Sequence, residues 1–364
     1  MHLFCQRCGH VEETSTLKSR CDCGGLWNLD FCPPAFNLSE IDTSQWSMFR
    51  YRAFMALEDE SWRDVSLGEG MTPVIRLNRR VLLKMEYLMP TLSYKDRGAA
   101  ALIAHCKAIG VKSVVQDSSG NAGNAVAAYC ARAGIKCRIF VPEGPSPKKI
   151  AMIRAHGAAC IVVPGGRDRC AEVCRATARE EGVYYASHVY SPFFYEGTKT
   201  FIYEIFEQLR RIPPVLVIPV GNGTLFLGAV AALQDLLRAR AISEMPQILA
   251  VQSERCDPLL RAARAGLHEP AEVVPQPTAA EGIAIGRPAR GAEILAAARK
   301  YGVRFIHAPE EDILPARQEL ARAGLYVEHT TAANYAAYGA YCKTFGPAPE
   351  ALITLCGAGL KSDR

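Results

Sequence analysis

Short β-branched runs alternate with longer segments of helical periodicity from about residue 80 onwards. The run "KSVVQDS" at 112–118 is typical of a strand, and "IKCRIFVPEG" at 135–144 is typical of a second one. Between them Ala122, Ala125, Val126 and Tyr129 recur at helical spacing. A strand, a helix and a strand in this order form a βαβ unit, whose strands pair in parallel. The pattern therefore predicts an α/β protein.

The alternation continues to the end of the sequence. Further strands are predicted at "AACIVVPGG", "GVYYAS", "PVLVIPVGNGT" and "QILAVQS", and helices from Arg167 and over "GTKTFIYEIFEQLRR". The chain has 364 residues, 49% of them hydrophobic, which is enough to bury two cores. We expect a doubly wound α/β fold with two such sheet domains.

Charge and hydropathy argue against two classes of partner. The 42 basic and 37 acidic residues give a net charge of +5 and are interspersed, so we expect no nucleic acid as a partner. The longest apolar stretch, around Leu225 to Leu233, is far shorter than the roughly 20 residues that span a bilayer, so we expect no membrane insertion. The sequence starts without a basic and then apolar leader, so a cytoplasmic location is expected.

Four of the 14 cysteines stand at metal-binding spacing near the N-terminus. Cys5 and Cys8 form one pair, Cys21 and Cys23 form a second, and each pair is followed by glycine. Two such knuckles can offer four thiolates to one tetrahedral zinc ion. We predict a small zinc-ribbon-like knuckle over residues 1–32, followed by a linking arm at 33–70.

Three loops that follow predicted strands could carry chemistry, because ligands of α/β sheets bind where strands end. Asp117–Ala125 ("DSSGNAGNA") offers backbone N–H groups and hydroxyls to an anion. Gly221, Asn222, Gly223 and Thr224 open a helix, where amides and the helix dipole suit a phosphate. Leu355–Ser362 ("LCGAGLKS") is predicted as another strand that ends in glycines.

The sequence lacks the nucleotide-binding patterns that usually accompany such loops. There is no G-x-x-x-x-G-K-[ST] segment, and no G-x-G-x-x-G follows the first strand with an acidic residue at the right distance. A phosphate site without these patterns points to a phosphorylated small cofactor or substrate.

Six segments in order resemble the pyridoxal-phosphate enzymes of the tryptophan synthase β fold type (fold type II). They are "SYKDRG", "SSGNAGNA", "VGNGTLFLG", "EGIAIGRP", "VEHTTAA" and "CGAGLK", spread over nearly all of residues 70–361. Within this family they are most similar to threonine synthases, which also resemble the chain in the short cysteine ribbon. The resemblance implies a large cofactor-binding domain at 71–104 and 191–364, a small domain at 105–190 that carries the substrate carboxylate loop, and a homodimer.

The same resemblance implies a role for individual residues. Lys95 would form the Schiff base with pyridoxal 5'-phosphate and act as the base, and Asn121 would contact the 3'-hydroxyl of the cofactor. Cys356 would stand at the pyridine nitrogen, where a neutral side chain favours elimination. The cofactor phosphate would be bound by Gly221, Asn222, Gly223, Thr224 and Leu225, and the substrate carboxylate by Ser118, Ser119 and Gly120.

The substrate of the chain is left open by one departure from threonine synthases. Their phosphate-binding arginine is expected at the position of Phe194, and a phenyl ring cannot replace a bidentate guanidinium. His188, in the same stretch, is a candidate substrate-binding residue, and a structural role for it is as plausible.

Four functions are kept as hypotheses. The first is elimination or replacement at Cβ or Cγ of a small amino acid by a threonine synthase-like enzyme. The second is a serine, threonine or diamino-acid ammonia-lyase, and the third a β-replacement similar to that of cysteate synthase. The fourth, from another class, is a protein that binds the cofactor without turnover and uses its ribbon as an interaction module.

Overall fold

The computed structural model describes residues 1–144 and 147–361 and contains strands and helices in alternation. The strands, numbered along the chain, are β1 (His2–Cys5), β2 (Val11–Glu12), β3 (Trp27–Asp30), β4 (Val74–Asn78), β5 (Val81–Lys84), β6 (Ser113–Gln116), β7 (Lys136–Pro142), β8 (Ala159–Val163), β9 (Tyr184–Tyr185), β10 (Val215–Pro219), β11 (Gln247–Ser253), β12 (Arg304–Ala308) and β13 (Ala351–Thr354).

The helices follow the same order. They are α1 (Trp62–Val65), α2 (Lys95–Ala108), α3 (Asn121–Ala133), α4 (Pro147–Ala155), α5 (Arg167–Glu181), α6 (Pro192–Leu209), α7 (Thr224–Arg238), α8 (Pro258–Arg264), α9 (Gly291–Tyr301), α10 (Glu310–Arg322) and α11 (His329–Phe345). Short 3₁₀ helices cover Leu38–Glu40, Met48–Phe54, Glu281–Ile283 and Gly359–Lys361. Along the part of the chain that is described, no helix has both the length and the apolar character needed to cross a membrane.

The chain forms two compact units. Unit 1 contains Met1–Gly70 and Lys95–Thr200, and unit 2 contains Met71–Tyr94 and, of the described residues, 201–361. Unit 1 therefore includes the predicted ribbon, the arm and the predicted small domain. The predicted assignment of cofactor and carboxylate binding to separate domains stays a prediction.

Unit 1 has a parallel four-stranded sheet of order β8-β7-β6-β9. Helices α2 and α3 bury rows of small residues in its core, together with Phe49 and Trp62 of the arm. The ribbon is a separate antiparallel sheet of order β2-β1-β3, and its Leu3 and Trp27 belong to the same apolar core. The N-terminal ribbon thus packs as a part of unit 1.

Unit 2 has a six-stranded sheet of order β12-β11-β10-β13-β5-β4, parallel except for β4. Strand β10 is buried along its whole length, as the continuous apolar run "VLVIP" requires of a strand covered on both faces. The predicted α/β fold with two sheets and a cysteine ribbon in front is confirmed, and α5 begins at the predicted Arg167.

One predicted strand is misplaced. The strand expected within Leu355–Ser362 ends at Thr354, and the loop that follows contains the glycines. Ser362 lies outside the described residues. The apolar run "ALIT" just before the loop carries the sheet pairing, because all four of its residues are buried.

Candidate active site

Lys95 is the first residue of α2 and is partly buried in unit 1. Its Nζ lies 5.7 Å from the centre of the Phe194 ring, which is fully buried. At this distance the ammonium group interacts with the negative face of the ring. Phe194, predicted to replace a phosphate-binding arginine, therefore stands beside the lysine.

His188 also contacts Phe194. The two rings meet edge-on with centroids 5.9 Å apart. Burial lowers the pKa of His188 well below its ordinary value, and the positive charge of Lys95 lowers it further. The imidazole is therefore neutral at physiological pH.

Gln116, at the end of β6, determines which nitrogen of His188 carries the proton. Its Oε1 accepts the N–H of Ser118 at 2.8 Å, so its Nε2 faces His188 Nδ1, 3.2 Å away. An amide nitrogen only donates, so Nδ1 accepts and the proton of the neutral ring stands on Nε2. His188 thus offers one N–H donor and no charge.

The predicted carboxylate loop follows β6 directly. Gly120 N–H donates to Ser118 Oγ at 3.3 Å, and the first hydrogen bond of α3 runs from Asn124 N–H to Gly120 O. The amides of the first turn of α3 precede that bond, and amides in this position commonly bind anions. Ser118, Ser119, Gly120 and Asn121 thus share one turn at the start of a 13-residue helix.

The predicted phosphate loop lies at the end of β10 in unit 2. A Cβ atom at Gly221 would lie 3.0 Å from Ile285 Cγ1, and one at Gly223 would lie 2.9 Å from Ile294 Cγ1. Gly223 also has a φ of +76°, which other residues rarely adopt. A side chain at either position would therefore collide with a packed isoleucine.

Three amides of the same loop precede the first hydrogen bond of α7. Leu227 N–H donates to Gly223 O at 2.8 Å, which leaves the N–H groups of Thr224, Leu225 and Phe226 ahead of the helix ladder. With Asn222 beside them, these amides and the N-terminal dipole of a 15-residue helix suit a phosphate group. The loop thus fits the phosphate of the implied cofactor.

Cys356 lies at the carboxyl edge of the same sheet, because β13 is the parallel neighbour of β10. Its Sγ is 3.1 Å from Thr331 Oγ1 and 3.6 Å from Glu328 Oε1, and the residue is buried. Burial first, and then the negative charge of Glu328, raise the pKa of the thiol well above its ordinary value. The thiol is therefore neutral. The role implied for Cys356, beside the pyridine nitrogen of the cofactor, requires a neutral side chain.

Tyr94 contacts both predicted parts of the site in unit 2, the loop at 221–225 and Cys356. It was not predicted as a site residue. Its N–H donates to Cys356 O at 3.0 Å, and its hydroxyl lies 3.0 Å from Thr224 Oγ1. Its position directly before Lys95 in "SYKDRG" is the sequence feature that could have identified it. Gln116 was missed in the same way, although it directly precedes "DSSG".

The predicted site residues thus form two groups. Unit 1 brings together Lys95, His188 and the turn at 118–121, and unit 2 brings together the loop at 221–225 and Cys356. The role of each residue stays a prediction.

The four predicted metal ligands form one cluster in the ribbon. The Sγ atoms of Cys5, Cys8, Cys21 and Cys23 all lie within 4.8 Å of one another. Zinc–sulfur bonds of about 2.3 Å in a tetrahedron need sulfurs about 3.8 Å apart, so the cluster fits the ion. A Cβ atom at Gly25 would lie 2.5 Å from Cys5 Sγ, so a larger residue would fill the cluster.

Comparison with known proteins agrees with this arrangement. The sequence profile of a family described as pyridoxal-phosphate dependent enzyme matches residues 65–357. A threonine synthase of Methanocaldococcus jannaschii is 30% identical over 347 residues, which are 91% of this chain and 85% of that protein. A threonine synthase of Mycobacterium leprae is 34% identical over 295 residues, 79% of either chain.

Solved structures with the same fold include two deaminases. A threonine deaminase from T.th. superposes with a TM-score of 0.68 at 27% identity, over 82% of this chain and 96% of that one. Threonine deaminase isoform 2 from Solanum lycopersicum has a TM-score of 0.71 at 20% identity, over 90% of this chain and 86% of that one. The latter identity is evidence for the fold alone.

Proposed function

The chain belongs to the family of pyridoxal-phosphate-dependent enzymes, and from this we propose that it eliminates or replaces a substituent at Cβ or Cγ of a small amino acid, as a threonine synthase-like enzyme. Pyridoxal 5'-phosphate, when bound, supplies an aldehyde that condenses with amines and an electron sink for charge at Cα. The observation that carries the proposal is the match of the family profile to residues 65–357, in which Lys95 begins α2.

Four parts of the chain would hold the cofactor. Lys95 supplies the amine, the loop at 221–225 binds the phosphate, Asn121 contacts the 3'-hydroxyl, and Cys356 stands at the ring nitrogen. The glycine loop supports the phosphate assignment, because neither Gly221 nor Gly223 has room for a side chain and the loop opens directly into the N-terminus of α7. The neutral thiol of Cys356 supports the last assignment, because it places no charge at that nitrogen.

Lys95 would also move the proton that the reaction requires. A lysine amine can accept a proton only when it is uncharged, and burial and neighbouring groups shift that balance. Ser118, Ser119 and Gly120 would bind the substrate carboxylate through hydroxyl and amide donors. His188 Nε2–H would donate to the substrate on the side of Phe194.

Phe194 favours a second candidate, a serine, threonine or diamino-acid ammonia-lyase. A buried phenyl ring beside Lys95 offers no charge to a phosphate leaving group. A hydroxyl or amino leaving group needs no such charge, and the uncharged N–H of His188 suits it. The likeness to a threonine deaminase at 27% identity supports the same candidate.

A substrate panel tests both functions. The purified protein with pyridoxal 5'-phosphate is incubated with O-phospho-L-homoserine, L-serine, L-threonine and 2,3-diaminopropionate, and phosphate and 2-oxo acids are measured. Phosphate release supports a threonine synthase, a 2-oxo acid supports an ammonia-lyase, and consumption of an added nucleophile supports β-replacement. Lys95→Ala should abolish turnover, whereas Lys112→Ala, at an exposed lysine, should not.

Failure of the whole panel, with cofactor bound through Lys95, would favour the non-catalytic binding protein. A homodimer is also part of the proposal, and light scattering of the purified chain tests it.

We further propose that the ribbon binds one structural zinc ion through Cys5, Cys8, Cys21 and Cys23. The sulfur separations and the tight approach of Gly25 support this set. Cys23→Ser should lower the zinc content of the purified protein to well below one ion per chain. Cys32→Ser, at an exposed cysteine outside the cluster, should leave it unchanged.

A further inference from the structure

The ribbon contacts the segment of unit 1 that carries His188. Arg20 Nη2 donates to Tyr190 Oη at 2.5 Å, and the guanidinium carbon lies 4.9 Å from the centre of the same ring. Both side chains are partly buried, so their charged hydrogen bond is stronger than an exposed one. The ribbon and residues 184–193 also line a common cavity of about 20 Å³.

Arg20 is fixed by the fold of the ribbon around the metal cluster. It directly precedes Cys21, whose N–H donates to Gly25 O at 2.9 Å. Two residues before it, Lys18 O accepts the indole N–H of the buried Trp27 at 2.8 Å. The position of Arg20 therefore depends on a closed second knuckle.

Tyr190 reaches the predicted carboxylate loop through one intervening ring. Its ring meets that of Tyr185 edge-on with centroids 5.7 Å apart. Tyr185 Oη donates to Asp117 Oδ1 at 2.8 Å, and Asp117 directly precedes Ser118. The contacts thus run without a gap from the ribbon to the loop.

Tyr190 also shares a turn with His188. The N–H groups of Val189 and Tyr190 both donate to Ser187 Oγ, at 3.3 and 3.2 Å. These two bonds close a turn of the hydroxyl-to-backbone type. His188 lies inside this turn, so we expect a displacement of Tyr190 to reach it.

The ribbon has little secondary structure of its own to hold this position, although Leu3 and Trp27 pack in the core of unit 1. Its strands have four, two and four residues. Domains of this size usually need a metal or disulfides, and metal binding then supplies the folding free energy. Loss of the ion should therefore release Arg20.

We propose that Arg20 and Tyr190 are positioning residues through which the metal-loaded ribbon fixes the turn of His188 and the loop at 117–120. The proposal rests on the proposed function only in treating these two segments as the substrate side. Neither residue is assigned contact with a substrate.

Hydrogen–deuterium exchange of the full chain, loaded with one Zn²⁺ per chain, tests the proposal. Arg20→Gln should raise the exchange rates of peptides covering 185–191 and 117–120 about tenfold, because it removes a charged hydrogen bond; a tenfold change corresponds to about 1.4 kcal/mol. Removal of Zn²⁺ from the wild type with a chelator should raise the rates in the same two segments.

Two further variants separate positioning from general damage. Lys18→Gln removes an equal charge from the same segment, but its ammonium group pairs with Asp22 and Glu12 inside the ribbon and not with Tyr190, so the rates should not change. Arg20→Lys keeps the charge and a donor, so it should restore part of the protection.

Unchanged exchange at 185–191 in zinc-loaded Arg20→Gln would overturn the proposal, as would equal effects of Lys18→Gln. Protection that survives removal of Zn²⁺ would overturn the role of the metal. No amino acid is turned over in this measurement, so its result stands whether or not the substrate panel succeeds.

Discussion

The ring of Phe194 occupies the space that a side chain at Gly98 would need. A Cβ atom at Gly98 would lie 2.5 Å from Phe194 Cζ and closer still to two other ring atoms. Both residues are buried, so neither can move towards solvent to relieve the contact. The glycine three residues after Lys95 therefore determines that a large flat ring can stand beside the lysine.

Gly98→Ala should destabilise the protein by about 1–3 kcal/mol, the usual cost of overpacking a buried site. In the double variant Gly98→Ala/Phe194→Leu, the smaller side chain should relieve part of that cost. The midpoint of urea unfolding measures both. Gly339→Ala, in an exposed helical position with open space around it, should be neutral or stabilising. Strictly additive costs in the double variant would contradict the contact.

His188 should make the wild type lose stability at mildly acidic pH. Burial and the charge of Lys95 lower its folded-state pKa below the unfolded value of 6.5. As the pH falls below 6.5, His188 becomes protonated in the unfolded chain but stays neutral in the folded chain. Unfolding therefore becomes more favourable. The loss approaches about 1.4 kcal/mol per pH unit between the two pKa values.

His188→Gln should remove that component, so its stability relative to wild type should improve as the pH falls from 7 to 5. Urea unfolding at several pH values measures the difference. The exchange His268→Gln, at an exposed histidine, serves as the control. If the difference in the free energy of unfolding between wild type and His188→Gln stays constant with pH, His188 is protonated as readily in the folded protein as in the unfolded chain, and the prediction is wrong.

Cys356 should tolerate a neutral replacement and reject an acidic one. A serine hydroxyl is uncharged and can form a hydrogen bond with the Thr331 hydroxyl, so activity should stay within about tenfold of wild type. Aspartate would add a buried carboxylate close to Glu328, which should cost several kcal/mol of stability. Turnover of the substrate that the panel identifies, and thermal unfolding, measure the two effects. A stable and active Cys356→Asp would rule out the neutral role.

The buried ion pair of Lys84 and Glu204 should contribute more to stability than an exposed ion pair does. Lys84 Nζ lies 2.5 Å from Glu204 Oε1, and both side chains are fully buried. Glu204→Gln removes the buried carboxylate that pairs with Lys84, and breaking a buried ion pair typically costs about 3–5 kcal/mol. Glu60→Gln removes the partner of Arg63 in an exposed pair and should cost less than about 1 kcal/mol. Chemical unfolding compares the two, and similar losses would refute the distinction.

The sequence predicted the features that depend on local pattern. Hydrophobic periodicity located β6, α3 and β7, and the start of α5 at Arg167, because burial of one face imposes that spacing. The glycine loops were found because a strand that turns directly into a helix requires small residues. The cysteine cluster was found from spacing alone.

Contacts between distant segments could not be predicted in this way. Gln116 meets His188 because β9 pairs with β6, and no local pattern specifies that pairing. The contact of Tyr94 with Thr224 similarly depends on how the segment before α2 is placed in unit 2. The strand expected at Leu355 was placed too late because its glycines were more conspicuous than the apolar residues before them.

Strand β13 pairs with β10 on one side and with β5 on the other, although it is the last strand of the described chain. During synthesis both neighbours emerge from the ribosome long before it and present open edges to other chains. At about 5–20 residues per second, the wait between β10 and β13 is on the order of 10 s. The yield of folded protein in a cell should therefore depend on chaperones that shield those edges, and a chain truncated before Ala351 should aggregate.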